Sequence, residues 1–120
     1  MPAIFENALS FNGNISNWNV SNVFLIKKMF HNAKSFNQPL NGWIVSKVLN
    51  LEGMFERAEA FNQPFNEWKV SNMTNMRSMF ERTKAFNQLI DSWDVSKVTT
   101  MEGILSSCCI ENKNKSFSIM

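Results

Sequence analysis

The chain has 120 residues, which is enough for one domain with a core of its own. Its 11 Phe, 8 Met and 4 Trp, with no Tyr, form an unusual set of large apolar side chains without hydroxyl groups. The formal charge of +2, from 12 basic and 10 acidic residues, is close to balance, so neither nucleic acid nor an anionic membrane is predicted as a partner.

The first residues of the chain lack the basic start and the apolar run of a signal peptide. No stretch approaches the roughly 18 apolar residues that a membrane-spanning helix needs, so we expect no direct membrane insertion. The two cysteines, Cys108 and Cys109, are adjacent, and because disulfide geometry disfavours such a ring we expect free thiols. Free thiols indicate a reducing compartment, but only weakly.

A repeat of 25 residues dominates the chain. Residues 1–10 match the second half of the unit, residues 11–110 contain four full units without insertion, and residues 111–120 are predicted to be a tail or an improvised cap. We number the full units repeats 1 to 4. The clearest columns are Phe11, Phe36, Phe61 and Phe86, then Asn12, Asn37, Asn62 and Asn87, and then Trp18, Trp43, Trp68 and Trp93.

Each repeat predicts the same elements in the same order. The Phe-Asn pair marks a tight turn, where the Asn amide can bond to the backbone of the neighbouring turn. The Trp-x-Val step has period two and predicts a short strand. Apolar residues then step by three and four, as Ile26, Met29 and Phe30 do, which predicts a helix. The predicted fold class is α/β, a right-handed leucine-rich-repeat-like solenoid with one short parallel strand and one helix per repeat.

The consensus F-N-Q-P-L-N-x-W-x-V-S-x-V-x-x-M-x-x-M-F-x-x-A resembles the repeat of BspA-like leucine-rich-repeat surface proteins, over residues 4 to 110. The resemblance implies a surface-exposed or secreted protein, often lipid-anchored in bacteria, that works in adhesion or protein binding without catalytic residues. Related repeats also occur in protists and large DNA viruses. Because this chain is shorter than is common in the family and shows no signal peptide, its location stays open between the surface, a virion and the cell interior.

No catalytic residue, cofactor or metal site is predicted. His31 occupies a column held elsewhere by Glu56, Glu81 and Ser106, which favours a solvated helix position over a catalytic role. Cys108 shares a column with alanines and is expected to fill space in the core, whereas Cys109 is expected to be exposed. Neither cysteine has the further ligands that a structural zinc ion requires.

Burial of the tryptophans is expected, because Trp and Val share one parity of the Trp-x-Val step. Two charge columns alternate in sign between repeats, so ion pairs are expected between successive units. They contain Lys27, Glu52, Arg77 and Glu102, and Lys34, Glu59 and Lys84. Interleaved charges of this kind also argue against a basic groove for nucleic acid.

The repeats diverge at the positions that flank the Trp-x-Val step on its predicted outer face. Repeat proteins bind partners with such variable faces, although drift on a solvated surface is the simpler alternative. Ile44 is the best single candidate, because it is the apolar member. The predicted protein-binding residues are Asn17, Asn19, Ile44, Glu67, Lys69, Ser92 and Asp94, together with Phe117 in the tail.

The predicted function is a non-enzymatic repeat module for protein–protein interaction or adhesion, acting through this variable face or through its ends. The partner is a protein or a neighbouring copy in an assembly. The alternative is a structural or cement component of a larger assembly such as a virion.

Overall fold

The computed structural model describes residues 2–108, and within that range no α-helix and no strand of more than one residue occurs. Three isolated parallel bridges join Leu25 to Asn50, Asn50 to Asn75, and Asn75 to Thr100. Turns make up much of the remainder, and in repeat 2 they cover 41–42, 46–47, 52–57 and 59–60. The repeats are therefore built from linked turns, with one bridge position in each.

The predicted right-handed leucine-rich-repeat-like α/β solenoid, with a strand and a helix in each repeat, is wrong. Within residues 2–108 the Trp-x-Val segments form no bridge. The bridges lie instead at the position where the helix was expected to begin, and the segment after them consists of turns. The apolar spacing of three and four identified the buried residues but not the backbone conformation that buries them.

Residues in the left-handed backbone conformation interrupt each segment that was predicted to be a helix. In repeat 2 these are Gly53, with φ 60°, and Arg57, with φ 61°, and the same two positions are left-handed in repeats 1, 3 and 4. L-residues adopt this conformation singly, and a type II turn requires it at its third residue. The hydrogen bond from the Met54 N–H to the Leu51 carbonyl, 3.1 Å, closes one such turn around Gly53.

Backbone hydrogen bonds alternate between the same repeat and the next one. In repeat 2 every second N–H donates to a carbonyl group of repeat 3 at 2.8–2.9 Å, from Leu51 to Asn75 through Arg57 to Glu81. Between them, the Met54 and Glu56 N–H groups donate to a carbonyl three residues back in the same repeat, and the Glu52 N–H donates to the Asn50 side-chain oxygen. In an α-helix all of these N–H groups would donate to carbonyl groups of the same helix. Stacking of the repeats therefore competes with helix formation, and it satisfies the backbone hydrogen bonds instead.

Two columns of phenylalanine rings form the centre of the core. Rings in one column are 5.4–6.3 Å apart between repeats and lie within 10° of parallel. The two columns face each other at 4.0–4.2 Å, where the later Phe of one unit meets the Phe that opens the next unit. Stacked aromatic pairs add about 0.5–1.5 kcal/mol beyond the burial of their surface. The columns consist of Phe5, Phe30, Phe55 and Phe80, and of Phe11, Phe36, Phe61 and Phe86.

The tryptophans connect successive repeats by hydrogen bonds. The indole N–H groups of Trp43, Trp68 and Trp93 donate to carbonyl groups 28 residues earlier in the chain, at 3.1, 2.8 and 3.2 Å. These three side chains are buried, which confirms the expectation for repeats 2 to 4. Trp18 packs at 5.7 Å against Phe5 of the half-repeat and remains 41% exposed, so the expectation fails in repeat 1.

The asparagine column links the repeats as expected. The side-chain oxygens of Asn12, Asn37 and Asn62 each accept the backbone N–H of the equivalent asparagine in the next repeat, at 2.8–2.9 Å. Two of the expected ion pairs also form, Lys27 with Glu52 and Lys84 with Glu59, each at 3.9 Å. Side chains at equivalent positions of successive repeats thus hold the repeats in register.

Candidate functional site

The variable positions flank the Trp and Val of each repeat, which are both buried in repeats 2 and 3. In repeat 2, Trp43 and Val45 are buried, while Gly42 before them and Ile44 between them are exposed. Ile44 is 63% exposed, although its side chain is fully apolar. The alternation that was assigned to a strand is therefore present in the side chains, but no strand carries it.

A cavity of about 520 Å³ opens beside Ile44, within the size range of ligand sites. A side chain added at Gly42 would begin in open space, because no other atom lies within 4 Å of where its Cβ would be. The lining residues are Asn41, Gly42, Trp43, Ile44, Val45, Ser46, Glu67 and Lys69.

A second cavity of about 380 Å³ continues the first into repeats 3 and 4, and Lys69 lines both. The second is lined by Asn66, Trp68, Lys69, Val70, Ser71, Ser92, Trp93 and Asp94. Together the two cavities bring Gly42, Ile44, Glu67, Lys69, Ser92 and Asp94 to one face, which we call the variable surface. Asn17 and Asn19 are exposed in repeat 1 but line neither of these cavities, and Phe117 lies outside the described residues.

Two of the predicted binding residues, Asn19 and Asp94, form side-chain hydrogen bonds within their own turns. The Asn19 side-chain oxygen accepts the Ser21 backbone N–H at 3.0 Å and the Ser21 hydroxyl at 2.7 Å. Asp94 accepts the Ser96 backbone N–H at 3.0 Å in the same way. This backbone hydrogen bond, with the Ser96 hydroxyl and the charge of Lys97, holds the pKa of Asp94 below its ordinary value of 3.8. Both side chains therefore shape local turns.

The charged side chains of the variable surface differ in the hydrogen bonds and ion pairs that they form. The Glu67 backbone N–H donates to the Asn41 side-chain oxygen at 3.0 Å. The Glu67 carboxylate accepts a hydrogen bond from the Asn66 side-chain amide at 3.4 Å. Lys69 forms no hydrogen bond or ion pair with any residue of 2–108. Lys69 is thus the cation that both cavities present to a ligand.

His31 has a structural environment that the sequence prediction missed. Its Nδ1 lies 3.0 Å from a Glu6 carboxylate oxygen, and its Nε2 lies 4.0 Å from a Glu56 carboxylate oxygen. These three residues hold equivalent positions in successive units, so one imidazole links three layers. The expectation of a solvated helix position is wrong, because the segment is not a helix and the side chain is only 23% exposed. Extending the column back to Glu6 of the half-repeat would have revealed the carboxylates on both sides.

Apolar surface outside the variable positions was also missed. Four large apolar side chains in repeats 1 and 2 are between 41% and 56% exposed, namely Trp18, Phe24, Leu25 and Leu49. A further cavity of about 380 Å³ lies beside Leu89, between the segments that follow the third and the fourth Phe-Asn pairs. The signal was in the sequence, because Phe24 and Leu49 occupy a column that contains threonine in repeats 3 and 4.

Residues 2–108 contain neither a candidate metal cluster nor a candidate membrane-spanning helix. No cluster of three or more His, Cys, Asp or Glu side chains suited to a metal ion occurs in that part of the chain. No helix there has the length and apolar character needed to cross a membrane. Cys108 is buried, as expected from its column, and Cys109 lies outside the described range.

The chain matches the model of a known protein family. The family described as "Mycoplasma protein of unknown function, DUF285" matches residues 1–83 and, in a second overlapping match, residues 65–118. No curated protein and no solved structure matches the chain.

Proposed function

The chain belongs to the DUF285 family, and we propose that it is a non-enzymatic module that binds another protein through its variable surface. The family match is consistent with the resemblance to BspA-like leucine-rich-repeat surface proteins. Adhesion at a surface is the finer form of the same proposal.

The contrast between a constant scaffold and a variable surface supports this proposal. Core columns, asparagines and backbone hydrogen bonds repeat from unit to unit, so they fix where the outward side chains lie. The positions at which the residue type differs between repeats line two adjoining cavities. A rigid scaffold that presents side chains at fixed spacing loses little entropy on binding. The single observation that carries the proposal is the adjoining pair of cavities at these variable positions.

Selection from a random-peptide library displayed on phage tests the proposal. Gly42→Trp should fill the first cavity without strain, because Gly42 has no positive φ and its Cβ would begin in open space. Asn17→Trp is the matched control, since Asn17 is the equivalent position in repeat 1 and lines neither cavity. Thermal unfolding confirms that both variants fold.

We expect peptides that bind the wild type and Asn17→Trp, and that bind Gly42→Trp at least about tenfold more weakly, because a buried apolar contact is excluded. Failure to enrich any peptide on the wild type would refute peptide binding. Equal binding to Gly42→Trp would place the interaction elsewhere on the protein.

A second candidate function, a structural component of a larger assembly, is favoured by the exposed apolar side chains of repeats 1 and 2. Phe24 and Leu49 are adjacent, because the Leu49 N–H donates to the Phe24 carbonyl at 2.7 Å. Their equivalents Thr74 and Thr99 show that the fold accepts threonine at these positions. Light scattering over a concentration series should then show ordered oligomers that the double variant Phe24→Thr, Leu49→Thr loses. A wild type that stays monomeric at high concentration contradicts the assembly function.

A further inference from the structure

The second repeat differs from the others at the variable surface in two respects. Gly42 leaves empty the space that Asn17, Glu67 and Ser92 fill in the other repeats. Ile44 is apolar and 63% exposed, where the equivalent residues are Asn19, Lys69 and Asp94. The missing side chain and the exposed apolar wall lie in the same cavity. A large apolar side chain of a partner would bury itself and Ile44 together, and such burial is favourable.

The nearest charge that lacks a protein partner is Lys69. It lines both cavities, while the carboxylates nearby are engaged, Glu67 by the Asn66 amide and Asp94 by its own turn. Both carboxylates keep their charge, so a ligand carboxylate complements this surface at Lys69, whose charge no residue of 2–108 pairs. Ion pairs at exposed positions are weak, so the pair contributes selectivity more than affinity.

The spacing of the repeats suits an extended peptide as the ligand. Ile44 and Lys69 hold the same position in successive repeats, and the stacked rings of the neighbouring column, Trp68 and Trp93, are 6.2 Å apart. In an extended peptide, side chains on one face recur every second residue, about 6.6 Å apart. An extended segment that crosses the repeats would therefore place residues two apart on Ile44 and on Lys69.

On the basis of the proposed function, we propose that the variable surface recognises an extended polypeptide segment in which a large apolar residue and an acidic residue are separated by one residue. The apolar side chain enters the Gly42–Ile44 cavity, and the carboxylate pairs with Lys69. Because an extended segment can cross the repeats in either direction, the acidic residue can precede or follow the apolar one.

The peptides from the phage selection test this partner chemistry directly. We expect the enriched sequences to share an apolar residue and Asp or Glu two positions apart. A labelled synthetic peptide with this consensus should lose about two- to fivefold in affinity when its acid is replaced by the amide, with a smaller loss at high salt. The same replacement should have no effect on binding to Lys69→Glu, and selection on Lys69→Glu should enrich Lys or Arg at that position.

Lys34→Glu serves as the charge-matched control, because Lys34 is exposed and lines neither cavity. It should leave the consensus and the affinity unchanged. Peptides that Gly42→Trp blocks but that show no acidic preference, or that prefer a basic residue, would overturn the partner chemistry and leave the proposed function standing. An acidic preference that Lys34→Glu abolishes equally would overturn the assignment to Lys69. A wild type that enriches no peptide refutes peptide binding, and this inference with it.

Discussion

Removing the Trp68 side chain tests the packing that holds the repeats together. Trp68 is 3% exposed, stacks on Trp93 at 6.2 Å and meets Phe65 edge-on at 4.4 Å. Its indole N–H donates to the Leu40 carbonyl at 2.8 Å. Because that carbonyl also accepts the Trp43 N–H at 3.0 Å, it keeps a partner when the indole is lost. The hydrogen bond therefore contributes only about 0.5–1.5 kcal/mol, and packing contributes most of the effect.

Trp68→Ala should lower the free energy of unfolding by about 3–5 kcal/mol, because it opens a cavity between repeats. In a domain of this size the melting temperature should fall by about 12 °C or more in scanning calorimetry. Trp18→Ala is the matched control and should cost less than about 2 kcal/mol, since Trp18 is 41% exposed. Equal losses for the two variants, or an unchanged melting temperature for Trp68→Ala, would refute the packing explanation.

Three further substitutions test the hydrogen bonds and the backbone. Asn37→Ala should lower stability in urea unfolding by about 1–2 kcal/mol, because the half-buried Asn62 N–H loses its acceptor at 2.9 Å, and an unchanged midpoint would contradict this. Gly53→Ala should destabilise the protein by about 1 kcal/mol or more, since φ is 60° and the new Cβ would lie 3.2 Å from neighbouring side chains. Gly42→Ala, whose Cβ would lie in open space, should not destabilise it. A larger loss of stability for Gly42→Ala than for Gly53→Ala would disprove the turn assignment. The lowered pKa of Asp94 implies a stabilising contribution that is present above its ordinary value of 3.8 and is lost as pH falls through the lower folded value. Asp94→Asn keeps a side-chain acceptor, so its melting temperature should respond less to acid, and an identical acid response would show that this carboxyl contributes nothing.

The candidate site was only partly accessible from the sequence. Divergence between repeats identified Ile44 and Lys69 as variable and outward, because burial of Trp and Val in repeats 2 and 3 forces their neighbours toward solvent. The sequence could not separate these residues from Asn19 and Asp94, whose side chains are held in local turns. It also could not show that Lys69 lines two cavities, because a cavity depends on how adjacent repeats are offset.

The sequence by itself determined the 25-residue period, the buried columns and the asparagine hydrogen bonds between repeats. Identical side chains at a constant interval can share one interior only if each unit meets the next in the same register. Tertiary structure alone decided the backbone conformation. Spacings of three and four place Ile26, Met29 and Phe30 on one side in a helix and equally in linked turns, so local periodicity cannot distinguish the two. The choice depends on hydrogen bonds to a carbonyl 24 residues away, as from Leu51 to Asn75, and the stacked neighbour supplies that acceptor.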